Sequence, residues 1–192
     1  MLVSLTLFSV LGYGVLLALG VGRQSQDTVE ELVDEAQAIR GASNAILDDL
    51  RATNAAHLSI DVLPDGNHSV RMQASIEVGG AITWGVHERE LGPTPAEQDQ
   101  AGWFVRYLVV DTSIAGGAVE KQLVRQVLDA GGELRLTRTL ARGLRAGGGD
   151  APGFRLVQQG AVWEVTLSTA GVHAGQPRTR MIFHAQSRNE ST

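Results

Sequence analysis

The sequence contains no cysteine among its 192 residues. This absence excludes disulfide bonds, thiolate nucleophiles and cysteine-ligated zinc sites together. It leaves the cellular compartment open, because an exported domain of this size can fold without disulfides. Beyond residue 22 about 170 residues remain, a length that fits one domain with an ample core.

Excess positive charge is also missing. The chain has 16 lysines and arginines against 21 aspartates and glutamates, a formal net charge of −5 at pH 7. No basic stripe is present for contact with phosphate groups. We therefore expect no nucleic-acid partner.

Residue patterns that carry catalysis or hold cofactors are missing as well. There is no Gly-x-Ser-x-Gly elbow to present a nucleophile, and the glycine run at 147–149 lacks the lysine of a phosphate-binding loop. The five histidines have no second metal ligand at helical or hairpin spacing: His57, His68, His87, His173 and His184. The sequence therefore predicts neither an enzyme nor a cofactor or metal site.

Charge of either sign is absent from the segment Met1 to Gly22. As a helix, this segment would reach roughly 33 Å, enough to cross a hydrocarbon core of about 30 Å. We predict a transmembrane or filament-core helix at 1–22, with a cleaved secretory signal and a buried core helix as alternatives. The side chains expected to face lipid or sister helices are Leu2, Val3, Leu5, Leu7, Phe8, Val10, Leu11, Val15, Leu16 and Leu17.

An amphipathic pattern follows at 23–54 and continues the same helix. Its acidic residues predict a solvated face formed by Glu30, Glu31, Asp34, Glu35, Asp48 and Asp49. Gly41 weakens the helix in the middle by roughly 1 kcal/mol. We expect the apolar stripe to pack on the domain's own sheet, through Val29, Leu32, Ala36, Ile39, Ile46 and Leu50.

After Asn54 the apolar period changes from helical to two. Residues 58–63 and 70–78 alternate on either side of Pro64-Asp65-Gly66-Asn67, which predicts an antiparallel hairpin. The nearly apolar segment 103–111 is typical of a central strand that is buried on both faces. Three closing strands are predicted at 154–158, 161–168 and 178–186.

The segment Ala118 to Leu136 fits two structures. Val119, Leu123, Val124, Val127 and Leu128 match a helical stripe, yet residues 124–136 are equally typical of a hairpin that turns at Gly131-Gly132. The pattern alone leaves both possibilities open.

The order of these segments predicts an α+β fold. A long N-terminal helix, membrane-spanning in its first half and amphipathic in its second, packs on an antiparallel β-sheet. The expected organisation is a membrane or filament helix at 1–22, its amphipathic continuation at 23–54, a β-rich globular domain at 55–189 and a tail at 190–192.

This arrangement resembles the type IV pilin-like proteins, including the minor pseudopilins of type II secretion. The segment Met1 to Leu11 is similar to the apolar run that follows the Phe-Thr-Leu-Ile-Glu of those proteins after their leader. Pro152 to Thr169 and Arg178 to Asn189 resemble their closing strands and Arg-Asn ending. The resemblance implies a pilin-like fold and favours the hairpin at 118–136.

The function that this resemblance implies is mechanical. The chain would be a minor pseudopilin-like subunit of a type II secretion pseudopilus or a type IV pilus. It would be a single-pass protein of the inner membrane before filament assembly, with its globular domain on the periplasmic or extracellular side. The implied partners are inner-membrane lipid and other pseudopilins or pilins, which contact the N-terminal helix in a hetero-oligomeric filament.

The processing signals of that family are the cleavage-site glycine, the phenylalanine that is N-methylated and the fifth-residue glutamate. All three would precede Met1, so we expect Met1 to be an internal methionine or the result of trimming; the alternative is a relative of the family that cannot be processed. The alternative function is an exported β-rich binding module, membrane-tethered or secreted, with no role in a filament.

Overall fold

A computed structural model describes residues 26, 29–30, 32–114, 117–146, 152–160, 162–170 and 177–186. The predicted membrane or filament helix at 1–22 and the tail at 190–192 lie outside these residues. No helix in the described ranges is both long and apolar enough to cross a membrane. The chain divides into two compact units, Met1–Gln37 and Ala38–Thr192.

Strands dominate the described residues, of which they make up 54%. The helical elements are helix α1 (32–52), a 3-10 turn at Ala55–His57, a 3-10 turn at Arg89–Leu91 and the short helix α2 (Pro95–Gln98). The strands are β1 (Leu58–Val62), β2 (His68–Met72), β3 (Ala74–Val78), β4 (Ala81–His87), β5 (Asp99–Ala101), β6 (Phe104–Ser113), β7 (Val119–Leu128), β8 (Leu134–Ala141), β9 (Phe154–Gln159), β10 (Val162–Ala170) and β11 (Pro177–Gln186).

The described strands form three antiparallel sheets. The main sheet has the order β1-β2-β6-β7-β8, the C-terminal sheet the order β11-β10-β9 and the small sheet the order β3-β4-β5. Strand β6 lies in the centre of the main sheet, as the sequence predicts for 103–111. The prediction that both of its faces are buried is wrong, because buried residues alternate with half-buried ones along it. The predicted closing strands are confirmed as β9, β10 and β11.

The hairpin predicted around residues 64–67 is confirmed, because β1 pairs with β2 from Leu58↔Met72 to Val62↔His68. Asp65 shapes the turn: its carboxylate accepts hydrogen bonds from the Asn67 backbone amide at 3.1 Å and from Asn67 Nδ2 at 2.8 Å. Gly66 supplies the left-handed backbone that the turn needs, with φ of 79°.

The hairpin at 118–136 is confirmed, and the helix alternative is wrong. Strand β7 pairs with β8, and Asp129 closes the turn by accepting hydrogen bonds from the amides of Gly131 and Glu133, each at 2.9 Å. Gly132 adopts φ of 85°, which disfavours other residues. Turn chemistry thus decides what the apolar pattern left open.

The single strand predicted at 70–78 is wrong, because the chain leaves the main sheet at Gln73. The Gln73 amide donates to the His57 carbonyl at 3.1 Å, and its side-chain Nε2 donates to the Trp103 carbonyl at 3.1 Å. The Gln73 carbonyl accepts a hydrogen bond from Thr53 Oγ1. These contacts end β2 and start β3 in the small sheet.

The predicted pilin-like α+β fold is contradicted. The described chain is mostly strand, divided among three sheets, with one helix of about 21 residues in place of a long helix on one sheet. That helix is amphipathic, and in the described ranges no long apolar helix packs on a sheet. The physical reason is that β3–β5 and β9–β11 pair among themselves rather than extend the main sheet.

The hydrophobic core of the second unit joins α1, the main sheet and the C-terminal sheet. Ile39, Ile46 and Leu50 of α1 are fully buried in it. Its largest buried members from the sheets include Tyr107, Leu123, Leu156 and Val165.

Two polar residues at the start of β2 connect the main sheet to the C-terminal sheet. Asn67 is fully buried, and its Oδ1 accepts a hydrogen bond of 2.9 Å from the Phe154 amide. His68 Nδ1 lies 2.9 Å from the Leu156 carbonyl oxygen and 3.2 Å from the Leu156 amide nitrogen. The imidazole therefore occupies the junction between β2 and β9.

Candidate functional site

A groove of about 550 Å³ follows one flank of α1 in the second unit. Its walls come from the helix, from the end of β4 and the following turn, and from β7 and β8. The lining residues are Ala38, Gly41, Ala45, Asp48, Asp49, His87, Glu88, Arg89, Glu90, Arg125, Arg138, Thr139 and Leu140. We call this surface the helix groove.

Arg125 organises the inner wall of the helix groove. Its Nε donates a hydrogen bond of 2.9 Å to Asp49 Oδ2, and its Nη1 pairs with Glu88 Oε2. The same Asp49 oxygen accepts a hydrogen bond of 2.5 Å from the Tyr107 hydroxyl. One guanidinium thus connects α1, the end of β4 and β7, while Tyr107 adds β6.

Burial makes these interactions strong. The Arg125 side chain is only 12% exposed, and that of Asp49 is 24% exposed. Burial alone lowers the pKa of Arg125, but attraction to Asp49 outweighs it and the pKa is raised. Burial, and next the negative charge of Asp49, raise the pKa of Tyr107 well above its usual range. Both groups therefore keep their protons at physiological pH.

The outer wall of the helix groove is exposed, and two of the ion pairs at this wall are long. Arg138 Nη1 lies 3.9 Å from Glu90 Oε1, and Arg51 Nη1 lies 3.6 Å from Asp48 Oδ1. His87 Nδ1 lies 2.6 Å from Asp99 Oδ1 at the surface. Exposed pairs of this kind contribute little to stability, so their charges remain open to a partner.

Small residues line the helical side of the groove. Gly41 is exposed, and a Cβ built on it would meet nothing within 4 Å. Ala38 and Ala45 flank it on the same side of the helix. A glycine inside a helix costs roughly 0.5–1 kcal/mol relative to alanine. The surrounding fold leaves room for a side chain at position 41, so packing within the chain does not require a glycine there. The glycine does keep the helix groove wide.

The structure places the sequence-predicted packing residues in different environments. Ile39, Ile46 and Leu50 are fully buried, Ala36 is half-buried, and Val29 and Leu32 are exposed. The predicted membrane or filament residues between Leu2 and Leu17 lie outside the described ranges. No cluster of three or more potential metal ligands occurs in the described part of the chain.

Sequence reasoning missed the cluster around Arg125. It placed Asp49 on the solvated face with Asp48, whereas Asp49 is held by Tyr107 and Arg125. The carboxylate and the guanidinium are separated by 76 positions. No local pattern signals such a pairing, because one more polar residue does not stand out in β7, which also carries Glu120, Lys121, Gln122 and Gln126.

The helix groove presents small residues together with charges of both signs. Its lining combines small residues with four carboxylates, three guanidinium groups and one imidazole. Comparison with known proteins assigns no ligand: no family model, curated protein or solved structure matches this chain.

Proposed function

We propose that this chain is a minor pseudopilin-like structural subunit of a type II secretion pseudopilus or type IV pilus. The segment 1–22 holds it in the inner membrane before filament assembly, and the β-rich body lies on the periplasmic side. The observation that carries the proposal is the run of 22 residues without charge directly before an amphipathic sequence pattern.

The proposal rests on this N-terminal sequence and not on the fold, which differs from the one that the family resemblance implies. A subunit of this kind needs a membrane anchor, a rigid body and a surface for its neighbours. The apolar segment is the candidate anchor, and the core around Ile46 and Leu50 gives the body its rigidity.

The helix groove is the candidate contact for a neighbouring subunit. Small residues at Ala38, Gly41 and Ala45 allow the backbone of another helix to approach closely. The exposed charges of Arg138 and Glu90 lie beside them and can set the register of a partner.

Cysteine cross-linking in cells that assemble the native system tests this contact, because the chain has no cysteine of its own. A Gly41→Cys variant carrying a photoactivatable maleimide should cross-link to another pilin-like subunit, identified by its N-methylated N-terminus. A Gln158→Cys variant, which places the probe at an exposed position of β9, is the matched control. Equal labelling of that subunit from both positions would contradict a specific contact at the groove.

A second candidate function is an exported β-rich binding module without a filament role. The three antiparallel sheets favour it, because such frameworks commonly display binding surfaces. In that case the chain should remain in the periplasm or medium, and its Gly41→Cys variant should form no adduct with a pilin-like subunit.

A further inference from the structure

A second hollow of about 420 Å³ lies at one end of the main sheet and shares no lining residue with the helix groove. It is formed where β1 and β6 begin and β2 ends. The residues that matter for its chemistry are His57, Ser59, Arg71 and Phe104. Its volume falls in the range of small-ligand sites.

The permanent charge in the hollow is positive. Among the described residues that line it, Arg71 alone carries such a charge. The guanidinium lies over the Phe104 ring, 5.9 Å from the ring centroid. Its ion pair with Asp61 is long, at 3.5 Å, and the Arg71 side chain is 47% exposed. Most of its donors therefore remain available for an anionic group.

Ser59 lies next to Arg71 on the same face of the main sheet. Ser59 and Arg71 are directly opposite each other in the β1–β2 register. Side chains at opposite positions of an antiparallel pair are neighbours. A guanidinium next to a hydroxyl is a favourable pair of donors for a carboxylate.

His57 supplies an acceptor in a fixed orientation. Its ring stacks on Trp84 with centroids 4.0 Å apart and an interplanar angle of 14°. Gln73 Nε2 donates to the Trp103 carbonyl, so Gln73 Oε1 is the acceptor that faces His57 Nδ1 at 3.2 Å. Nδ1 therefore carries the proton of the neutral ring, and Nε2 is left as an acceptor.

The other side chains that a ligand can reach are mostly apolar. Phe104, Ala56 and Ala130 offer a surface for a hydrophobic side chain, and Gly102 leaves the space open. Leu58 and Met72 also line the hollow, but their side chains pack in the core. The hollow thus combines donors for a carboxylate, an acceptor for an N–H group and an apolar wall.

We propose that this hollow binds a hydrophobic amino acid that is acylated on nitrogen, either as a free N-acyl amino acid or as the last residue of a peptide. Arg71 and Ser59 bind the carboxylate, His57 Nε2 accepts the amide N–H, and the apolar wall takes the side chain. This binding site goes beyond the structural role proposed above and does not depend on it.

The free N-acyl amino acid and the peptide C-terminus differ in the group that is attached to the amide nitrogen. Strand β1 is an edge strand of the main sheet, so a longer peptide can add backbone hydrogen bonds along it. A peptide source therefore predicts affinity that rises with peptide length, and a free-acid source predicts affinity that does not.

Calorimetric titration of the full-length chain in detergent tests the site with N-acetyl-L-phenylalanine and its carboxamide. The acid should bind at least about 10-fold more tightly, because a hydrogen bond to a charged group contributes about 1.5–3 kcal/mol. Equal affinity for acid and amide, or no saturable binding of the acid, would overturn the proposal. Acetylated Ala-Ala-Phe then separates the peptide source from the free acid.

Three variants sharpen the test. Arg71→Gln should weaken acid binding at least about 10-fold, whereas Arg155→Gln, the same charge change at an exposed position of β9, should leave it unchanged. Asp61→Asn should strengthen binding, because it releases Arg71 from its ion pair. Circular dichroism checks that each variant is folded. A folded Arg71→Gln protein with unchanged affinity would refute the assignment.

Discussion

The hydroxyl of Tyr107 donates a hydrogen bond of 2.5 Å to Asp49 Oδ2, and this bond joins the central strand of the main sheet to helix α1. The Tyr107 hydroxyl also lies 3.2 Å from the Ala45 carbonyl on the same helix. Tyr107 is fully buried, so its phenolic group has no water to replace these partners. The position of the helix on the sheet therefore depends on a polar contact within the core.

Replacing Tyr107 with phenylalanine should lower the free energy of unfolding by about 1.5–3 kcal/mol, the value of a hydrogen bond to a charged group. Urea denaturation followed by far-UV circular dichroism measures this loss. Thr137→Ala, at an exposed position of β8, should change stability by less than about 0.5 kcal/mol. A Tyr107→Phe variant as stable as that control would show that the hydroxyl contributes nothing.

The neighbouring residues Asp48 and Asp49 should respond very differently to neutralisation. Asp49→Asn breaks a partly buried ion pair with Arg125 and should lower the free energy of unfolding by about 2–3 kcal/mol. The loss is smaller than for a buried charge without any partner, because Arg125 keeps its ion pair with Glu88. Asp48→Asn removes an exposed pair with Arg51, from a side chain that is 76% exposed. Its effect should stay within about 0.5 kcal/mol. Similar losses for the two variants would contradict the assigned role of Asp49.

Stability should fall in mild acid because of His68. Burial lowers the pKa of His68 below its usual value of 6.5. Above that value the ring is neutral in both states; below it the unfolded chain takes up a proton before the folded chain does, so folding loses stability as the pH falls. The measurement is the free energy of unfolding between pH 7.5 and pH 5.5.

A His68→Gln variant should lose this part of the pH dependence. His184→Gln, which removes an exposed histidine of β11, should retain it. If the wild-type curve and the His68→Gln curve were parallel, the junction between β2 and β9 would not be the source of the acid sensitivity.

Two glycine substitutions should have opposite effects. Gly41→Ala should raise the free energy of unfolding by about 0.5–1 kcal/mol, because the added methyl group meets open space and alanine favours the helix. Gly85→Ala should destabilise, because its Cβ would collide with the backbone carbonyl of Gln100 on the paired strand. Thermal melting compares the two, and a destabilising Gly41→Ala would imply a packing role for that glycine.

Turn residues made the hairpin around 64–67 predictable, whereas the pattern left 118–136 open and only the family resemblance favoured a hairpin there. In the structure both turns are fixed by contacts that span only a few residues, through Asp65 with Gly66 and through Asp129 with Gly132. The division into three sheets was not predictable. The break at Gln73 depends on hydrogen bonds to Thr53, His57 and Trp103. The alternating pattern of residues 70–78 carries no information about these contacts.

The candidate sites show the same limit. The helical pattern distinguishes apolar from polar positions, but it assigned Asp49 to solvent because Arg125 is 76 positions away. In the same way, Ser59 and Arg71 become neighbours only through the register of β1 and β2. Contacts between segments that are distant in the sequence create both sites: helix-to-sheet packing creates the helix groove, and strand pairing creates the hollow near Arg71.

Mass spectrometry of the N-terminal peptide, from protein isolated from its native membranes, tests the central proposal most directly. The pseudopilin-like function predicts an N-methylated phenylalanine a few residues before Met1, followed by the family's glutamate. An intact Met1 would indicate an anchor that is never processed, and a mature terminus near Val21 would indicate a secreted domain. Either of these two results would contradict the filament-subunit function.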